Sequence, residues 1–526
     1  MEITEGIVAG VVVSLLVAAF ARSRGWGIAL PVLFAGILFG VLPFGPNAPN
    51  DAGSVFLLVL APLVFGEALS SSYVDIRRVS RPVLALAVGL VVVSSVAVGA
   101  VATAVIPGIP LAIALALGAV LSPTDAVSVA AIARRVGLPH RLVTILEGES
   151  LVNDGTGLTL LRVALVSASA GAVTGGQALG ILALAVLGGI GVGAIVGLLL
   201  VLLMRRSTDS LVVNVMVLVA PFPAYFGAEA VQGSGILAVV TTALIAANAM
   251  TTDSGFRGRP ASVAAWRQIT FILQAFAFFL VGLELPETFM DLDARGRSIV
   301  PVLVVLILIV LLLARLTFVG AMVLLGKATT RSGADRIGWR SGIVLAWAGA
   351  RGPVSGLAAF TIPSTLASGE PFPDRSILLA TTFMVITATL LLAPTLGIVA
   401  RWVGVTAGPE EDEVRRVRAA LAGKALEQID DWVEEGIKSG QPAPEDVVNA
   451  LRSRYIAELR AAEGVPHPSV TAASQVTRYQ RGIIKSQQEE LLRLRDAEAI
   501  PDSVVRPIMH SLDAELAALR QRPLSG

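Results

Sequence analysis

The sequence predicts an all-α polytopic membrane protein. It would have about thirteen transmembrane helices in inverted repeats with two crossed discontinuous helices, followed by a cytoplasmic helical tail. Three observations predict it. The 526 residues are 55% hydrophobic and only 15% charged, with a mean hydropathy of +0.78, whereas soluble chains carry about 25% charged residues. Apolar runs near the roughly 20 residues a helix needs to cross the hydrocarbon core recur as far as residue 400. The charges are displaced towards the C-terminus, where 36 of the 79 lie in the last 118 residues. The chain thus reads as a transmembrane domain, 1–408, and a helical cytoplasmic domain, 409–526.

The apolar runs cover 6–21, 26–44, 54–69, 83–106, 111–133, 142–169, 179–204, 211–230, 235–250, 268–285, 300–325, 342–362 and 377–400. The first has no basic flank before it and no small-residue cleavage site after it, so it is read as a retained helix. Numbering the loops in order, the odd ones carry seventeen basic residues, from Arg22 and Arg24 to Lys327, Arg331, Arg336 and Arg340. The even ones carry three, Arg295, Arg297 and Arg375. Loops rich in Lys and Arg stay cytoplasmic, which puts the N-terminus outside and the tail inside. The tail stretches 413–436, 444–463 and 477–499 have helical periodicity between Gly and Pro breaks.

Composition excludes several chemistries. With no cysteine there is no disulfide, thiolate nucleophile or zinc-thiolate site. Three histidines, His140, His467 and His510, offer little for a metal centre, and a net charge of +1 gives no nucleic-acid footprint. The implied partner is the lipid bilayer, and no cofactor is expected.

Charge inside a span is costly and usually functional. The intramembrane charges are Glu67, Asp125, Glu147, Glu149, Asp154, Arg162, Glu229, Glu284, Arg315 and Arg351. Carboxylates outnumber arginines, which suits a cation pathway. In the fifth span, Ser122-Pro123-Thr124-Asp125 predicts a helix broken near the midplane, because proline removes a backbone hydrogen bond and clashes with the turn before it. In the twelfth, Ala348-Gly349-Ala350-Arg351-Gly352-Pro353-Val354-Ser355-Gly356 predicts a second break. The two spans are seven apart and so cross in opposite directions, the arrangement expected of inverted repeats, here spans 1–6 and 8–13. Asp125 and Arg351 also have a structural reading, as charges offsetting the positive and negative ends of half-helices.

The sixth span is the densest, Glu147-Gly148-Glu149-Ser150-Leu151-Val152-Asn153-Asp154-Gly155-Thr156-Gly157. Glu147, Ser150 and Asp154 share one helical face, and Glu149 and Asn153 form an adjoining stripe. So many carboxylates must be protonated, paired with Arg162 or Arg351, or ligating a cation. Asp154 is the principal functional candidate; for Glu147 and Glu149 an ion-pair role stands beside direct ligation. Glu67 lies near the cytoplasmic end of span three, as an entry or ion-contact residue. Glu229 and Glu284 sit towards outer ends, where snorkelling accounts for them. Arg315 is expected at a helix end or a lipid headgroup.

These motifs, together with Glu229-Ala230-Val231-Gln232-Gly233-Ser234-Gly235-Ile236-Leu237-Ala238-Val239, resemble the NhaP/NHE-type sodium/proton antiporters over about residues 6–402. The resemblance implies thirteen helices, a homodimer in the cell membrane, elevator-like alternating access, and a role in ion transport and pH regulation. It implies Asp154 as the shared proton and ion carrier, with a sodium site at Asp154, Thr124 and Ser150. Asp125, Glu67 and Glu149 would be further ion-site groups, with Asn153 and Arg351 stabilising the core. An Asn before the aspartate implies electroneutral exchange. Pro353 departs from the family pattern, where many members have a small residue. The tail carries no such resemblance.

The chemistry read from the residues is competition. A carboxylate in a partly dry pocket holds a proton or a cation, not both, and a bare charge crosses a low-dielectric barrier only at great cost. Oxygen ligands suit hard cations, with sodium and lithium favoured by the resemblance and potassium open. A potassium/proton antiporter and a passive cation channel are alternatives; the channel would carry voltage-driven current without proton coupling. An intramembrane aspartyl protease using Asp125 and Asp154 is disfavoured, because neither aspartate has the Gly-x-Gly-Asp setting of that class.

Overall fold

A computed structural model describes residues 3–42, 52–125, 128–129, 132–133, 136–170, 175–207, 209–252, 259–329, 337–366, 369–405, 410–439, 444–462 and 468–496, with 508–509, 512 and 515–516. The ends of the sequence-predicted stretches 26–44, 444–463 and 477–499, part of 111–133, and the loop residues Arg134, Arg135, Arg257, Arg331 and Arg336 lie outside the described residues. The chain divides into two compact units, Met1–Ala407 and Gly408–Gly526.

Among the described residues the first unit is helical, apart from an isolated bridge between Thr365 and Pro371. Its helices are α1 (Ile3–Ser23), α2 (Ala29–Val41), α3 (Ala52–Ser70), the short α4 (Tyr73–Arg78), α5 (Ser80–Leu84), α6 (Val91–Val105) and α7 (Leu111–Leu121). They continue as α8 (His140–Ala170), α9 (Gly175–Arg206), α10 (Ser210–Val219), α11 (Pro221–Ala230), α12 (Gly235–Thr252) and α13 (Arg259–Met290). The last are α14 (Ala294–Thr329), α15 (Trp339–Trp347), α16 (Pro353–Phe360), α17 (Arg375–Leu392) and α18 (Leu396–Val403). A π-helical turn, Ala85–Leu90, joins α5 to α6, and a 3-10 turn, Ala393–Thr395, joins α17 to α18. Among the described residues six segments are long and apolar enough to cross a membrane: Ser80–Val105, Gly176–Arg206, Ser210–Ala230, Ser262–Met290, Ala294–Leu325 and Arg375–Val403. Shorter apolar helices lie within α1, α2, α3, α7 and α12.

The outside of this unit is apolar. On α9, Leu187, Ile195, Leu198 and Leu202 are 71%, 68%, 64% and 47% exposed. Their spacing of eight, three and four residues puts them on one helical face, a stripe that water would oppose and lipid accommodates. Inside, Phe65, Phe278, Phe279 and Phe383 are the largest fully buried side chains. Close packing depends on absent side chains: a Cβ on Gly36 of α2 would overlap the Phe279 carbonyl, and one on Gly282 of α13 would overlap that of Leu33. The two backbones therefore run in direct contact, as small residues permit in membrane bundles.

The two breaks in the helical ladder position the site. α7 stops at Leu121, and Pro123 two residues on has no N–H to continue the ladder. Ser122 takes over locally: its hydroxyl is 2.5 Å from the Gly118 carbonyl and 2.8 Å from Ser95 Oγ. Helix resumes beyond Asp125 at Ser128 and Val129. The second break runs from Ala348 to Gly352 between α15 and α16, with Pro353 at the first helical position of α16, where a missing N–H costs nothing.

The second unit contains α19 (Glu410–Lys438), α20 (Glu445–Ala462) and α21 (Pro468–Asp496). α19 and α20 pack together and are joined by an Arg452–Asp430 ion pair. Exposed pairs such as Lys438–Glu434 (2.6 Å) and Arg493–Glu490 (2.6 Å) follow helical spacing. Arg493 holds the exposed Glu490 carboxyl below its ordinary range.

Candidate ion site at two crossed helix breaks

The two breaks touch. The Asp125 N–H donates to the Ala350 carbonyl at 2.8 Å, and a Cβ on Gly352 would stand 2.5 Å from that of Asp125. Only glycine allows the second break to pass so close to the first.

Helix breaks leave carbonyls and N–H groups without ladder partners, and here side chains take them up. Arg351 Nε donates to the Leu121 carbonyl at the end of α7 (2.9 Å), and its Nη1 donates to the Gly349 carbonyl. Its own N–H donates to Thr389 Oγ1 at 3.1 Å. Arg315 serves the other break, Nε donating to the Leu345 carbonyl of α15 at 2.8 Å. Asp125 Oδ2 accepts from the Ser128 N–H at 3.2 Å, at the start of the resumed helix. Cations thus sit at helix C-termini and a carboxylate at an N-terminus, matching the helix dipoles.

α8 presents two stripes to the crossing. Glu149 and Asn153 form the first. Arg315 Nη1 and Nη2 donate to the two Glu149 oxygens at 2.5 and 2.8 Å, with the paired side chains 3% and 2% exposed. Thr124 Oγ1 donates to Glu149 Oε1 at 3.1 Å, and Asn153 Nδ2 donates to Thr124 Oγ1 at 3.0 Å and to its carbonyl at 3.3 Å. This network pins the first break to α8. The expected partners for these carboxylates, Arg162 and Arg351, are engaged elsewhere. Arg162 binds Glu229 (3.4 Å) and Gln232 (2.7 Å) beside a cleft of about 250 Å³, so the partly exposed Glu229 has an ion-pair partner that the sequence reading did not name.

The second stripe, Ser150 and Asp154, faces a small cavity that Glu67, Pro123, Thr124, Asp125, Gly352, Val354 and Ser355 complete. Its volume is about 10 Å³, on a measure by which one water needs roughly 10–15 Å³. The space fits a single small ion. Asp154 is 3% exposed, and among the described residues its carboxylate forms no hydrogen bond or ion pair, while three carboxylates share the cavity wall. Of the residues singled out in the sequence, Glu67, Thr124, Asp125, Ser150 and Asp154 meet here. Glu149, Asn153 and Arg351 stand behind the wall, and Glu147 does not line it. Sequence reading did not foresee two contributors. Arg315 stood out only as a lone charge in an apolar run, expected at a helix end or lipid headgroup; it does bind the Leu345 carbonyl near the end of α15, but its pairing with Glu149 had no sequence signal. Ser355 lay inside the second break motif but not among the selected residues.

Crossed, interrupted helices around a buried polar centre are the arrangement in which secondary transporters build their substrate sites. A family profile described as "Sodium/hydrogen exchanger, transmembrane" matches residues 11–402. The chain belongs to the sodium/hydrogen exchanger family and is a multi-pass membrane protein. It is 34% identical over 535 residues to an uncharacterised Na(+)/H(+) exchanger of Mycobacterium bovis, covering 97% of this chain and 96% of that one. It is 28% identical to the "Sodium, potassium, lithium and rubidium/H(+) antiporter" of Bacillus subtilis, covering 93% of this chain and 73% of that one. Its fold is similar to the sodium proton antiporter MjNhaP1 of Methanocaldococcus jannaschii, with a TM-score of 0.59 at 18% identity over 77% of this chain and 99% of that one.

Proposed function

We propose that this protein exchanges sodium, and related monovalent cations including lithium and potassium, for protons across the cell membrane, with Asp154 as the shared carrier. One observation carries the reading: a carboxylate 3% exposed, without a hydrogen-bond or ion-pair partner among the described residues, faces a one-ion cavity at the crossing of two helix breaks. A bare carboxylate there is strongly disfavoured. It is stable protonated or with a cation, and occupancy by one excludes the other. Only an occupied site turns to the opposite side, so each cation leaving is replaced by a proton. Ser150 and Thr124 supply neutral oxygens, and Glu67 and Asp125 add negative potential. Hydroxyl and carboxylate ligands suit hard cations, and the sodium, potassium, lithium and rubidium named for the B. subtilis relative support a range that includes potassium.

The arrangement further proposed is thirteen crossings, spans 1–6 inverted against 8–13, an N-terminus outside, a cytoplasmic tail and a homodimer. Exchange is electroneutral, with Asn153 holding Thr124 instead of carrying a second proton. The test is a pH-dye assay in proteoliposomes with sodium, lithium and potassium added in turn. Cation-dependent proton movement that persists with the membrane potential clamped is expected, and its loss in Asp154→Asn protein that still folds. Normal exchange by that variant removes Asp154 from the role. Current without proton coupling favours a channel.

A further inference from the structure

We propose that Ser355 is a cation ligand, the side-chain oxygen by which the second helix break takes hold of the transported ion; this rests on the exchange reading above. Pro353, at the first position of α16, starts the helix abruptly, and Ser355 falls in its first turn. The side chain is 2% exposed and lines the same cavity as Asp154. Its hydroxyl has no hydrogen-bond partner among the described residues. A buried serine normally satisfies its hydroxyl, often on the carbonyl one turn earlier, as Thr159 does at 2.6 Å and Thr382 at 2.8 Å in this chain. Ser355 does not, and its oxygen is not sealed off but open to the cavity it lines, where it is available to whatever occupies that space.

The other cavity residues explain why the position matters. α8 contributes Ser150 and Asp154, the first break contributes Thr124 and Asp125, and α3 contributes Glu67. From the second break come Gly352, Val354 and Ser355, of which only Ser355 has an oxygen in its side chain. Without it that break would offer an ion nothing but backbone. With it a bound cation is held from both breaks at once, so occupancy braces the crossing. A neutral hydroxyl is also selective in a useful sense. It stabilises a cation but does not take up the transported proton, so it shifts the competition at Asp154 towards the metal ion.

The readout is therefore a split. In proteoliposomes at alkaline pH, Ser355→Ala raises the sodium concentration for half-maximal exchange by about tenfold, the scale of one lost interaction with a charged group. That rise exceeds any fall in maximal rate. Ser355→Thr, which keeps the hydroxyl, restores the wild-type value. Ser355→Cys, with its softer donor, lies between them and carries the test if the alanine variant does not purify folded. Sodium also raises the thermal stability of wild-type protein by mass action, and the alanine variant needs correspondingly more sodium for the same rise. An unchanged half-saturation constant in the alanine or the cysteine variant overturns the inference. So does a defect that the threonine variant shares. Asp154→Asn is run in the same preparation: if it still exchanges, the parent reading has failed, and if it is inactive while Ser355→Ala binds sodium normally, only the role of Ser355 has.

Discussion

Glu149 and Arg315 form a bidentate pair with 2% and 3% of their side chains exposed. Such a pair gives little net stability over an apolar replacement, yet removing one partner strands the other and costs about 3–5 kcal/mol. Arg315→Leu should therefore lower the thermal unfolding temperature of detergent-purified protein sharply, by leaving the Glu149 charge buried and the Leu345 carbonyl without its donor. Adding Glu149→Gln removes the stranded charge and should recover part of the loss, so the two effects are strongly non-additive. Additive losses would mean that the pair is not coupled as its geometry implies. The same pair shows what spacing reveals and what it omits. Two stripes on the sixth span were readable from helical spacing alone; Ser150 and Asp154 of one reach the cavity and Glu149 and Asn153 of the other the network, but Glu147, placed on the first stripe, does not line the cavity. Which arginine answers Glu149 was not readable, because Arg315 stands 166 positions away and the contact exists only once α14 is packed.

Proline and glycine punctuation made both helix breaks legible, since the backbone consequences of Pro123 and of Gly352-Pro353 are local. That the breaks touch was not, because it depends on how α7, α8 and α16 pack. The contact has little slack. Gly352 has φ −111° and ψ −173°, an extended conformation open to any residue, so alanine there meets no backbone strain. It meets Asp125, whose Cβ would be 2.5 Å away. Gly352→Ala should push the two breaks apart and weaken the 2.8 Å bond between the Asp125 N–H and the Ala350 carbonyl. Overpacking of this kind typically costs about 1–3 kcal/mol, and here the displacement falls on the cavity wall. The expected outcome is a lower unfolding temperature together with a loss of exchange larger than the loss of folded protein. A variant whose transport declines only in step with its folded fraction would show that the crossing tolerates the shift.

The proposed arrangement of the whole chain in the membrane rests on charge asymmetry between loops, seventeen basic residues against three. Basic loops are retained in the cytoplasm during insertion, and an odd number of crossings then puts the N-terminus and the tail on opposite sides. Helix length alone is a weaker guide. α2 and α7, at 13 and 11 residues, are short for a full crossing, one because the chain turns extended at Leu42 and the other because Pro123 interrupts the helix. A chain without cysteine makes the arrangement directly testable, since any introduced thiol is the only one present. Ser23, Ser210, Ser298 and Ser364 are exposed and suit replacement by cysteine. Ser23 and Ser210 lie at odd loops, Ser298 and Ser364 at even ones. In intact cells a membrane-impermeant maleimide should label Ser298→Cys and Ser364→Cys, whereas Ser23→Cys and Ser210→Cys should react only after the membrane is opened. Reversal of all four would invert the orientation and leave the count standing. Labelling that changes sides between Ser298 and Ser364 would break the count, because α14, α15 and α16 must together return the chain to the face it left.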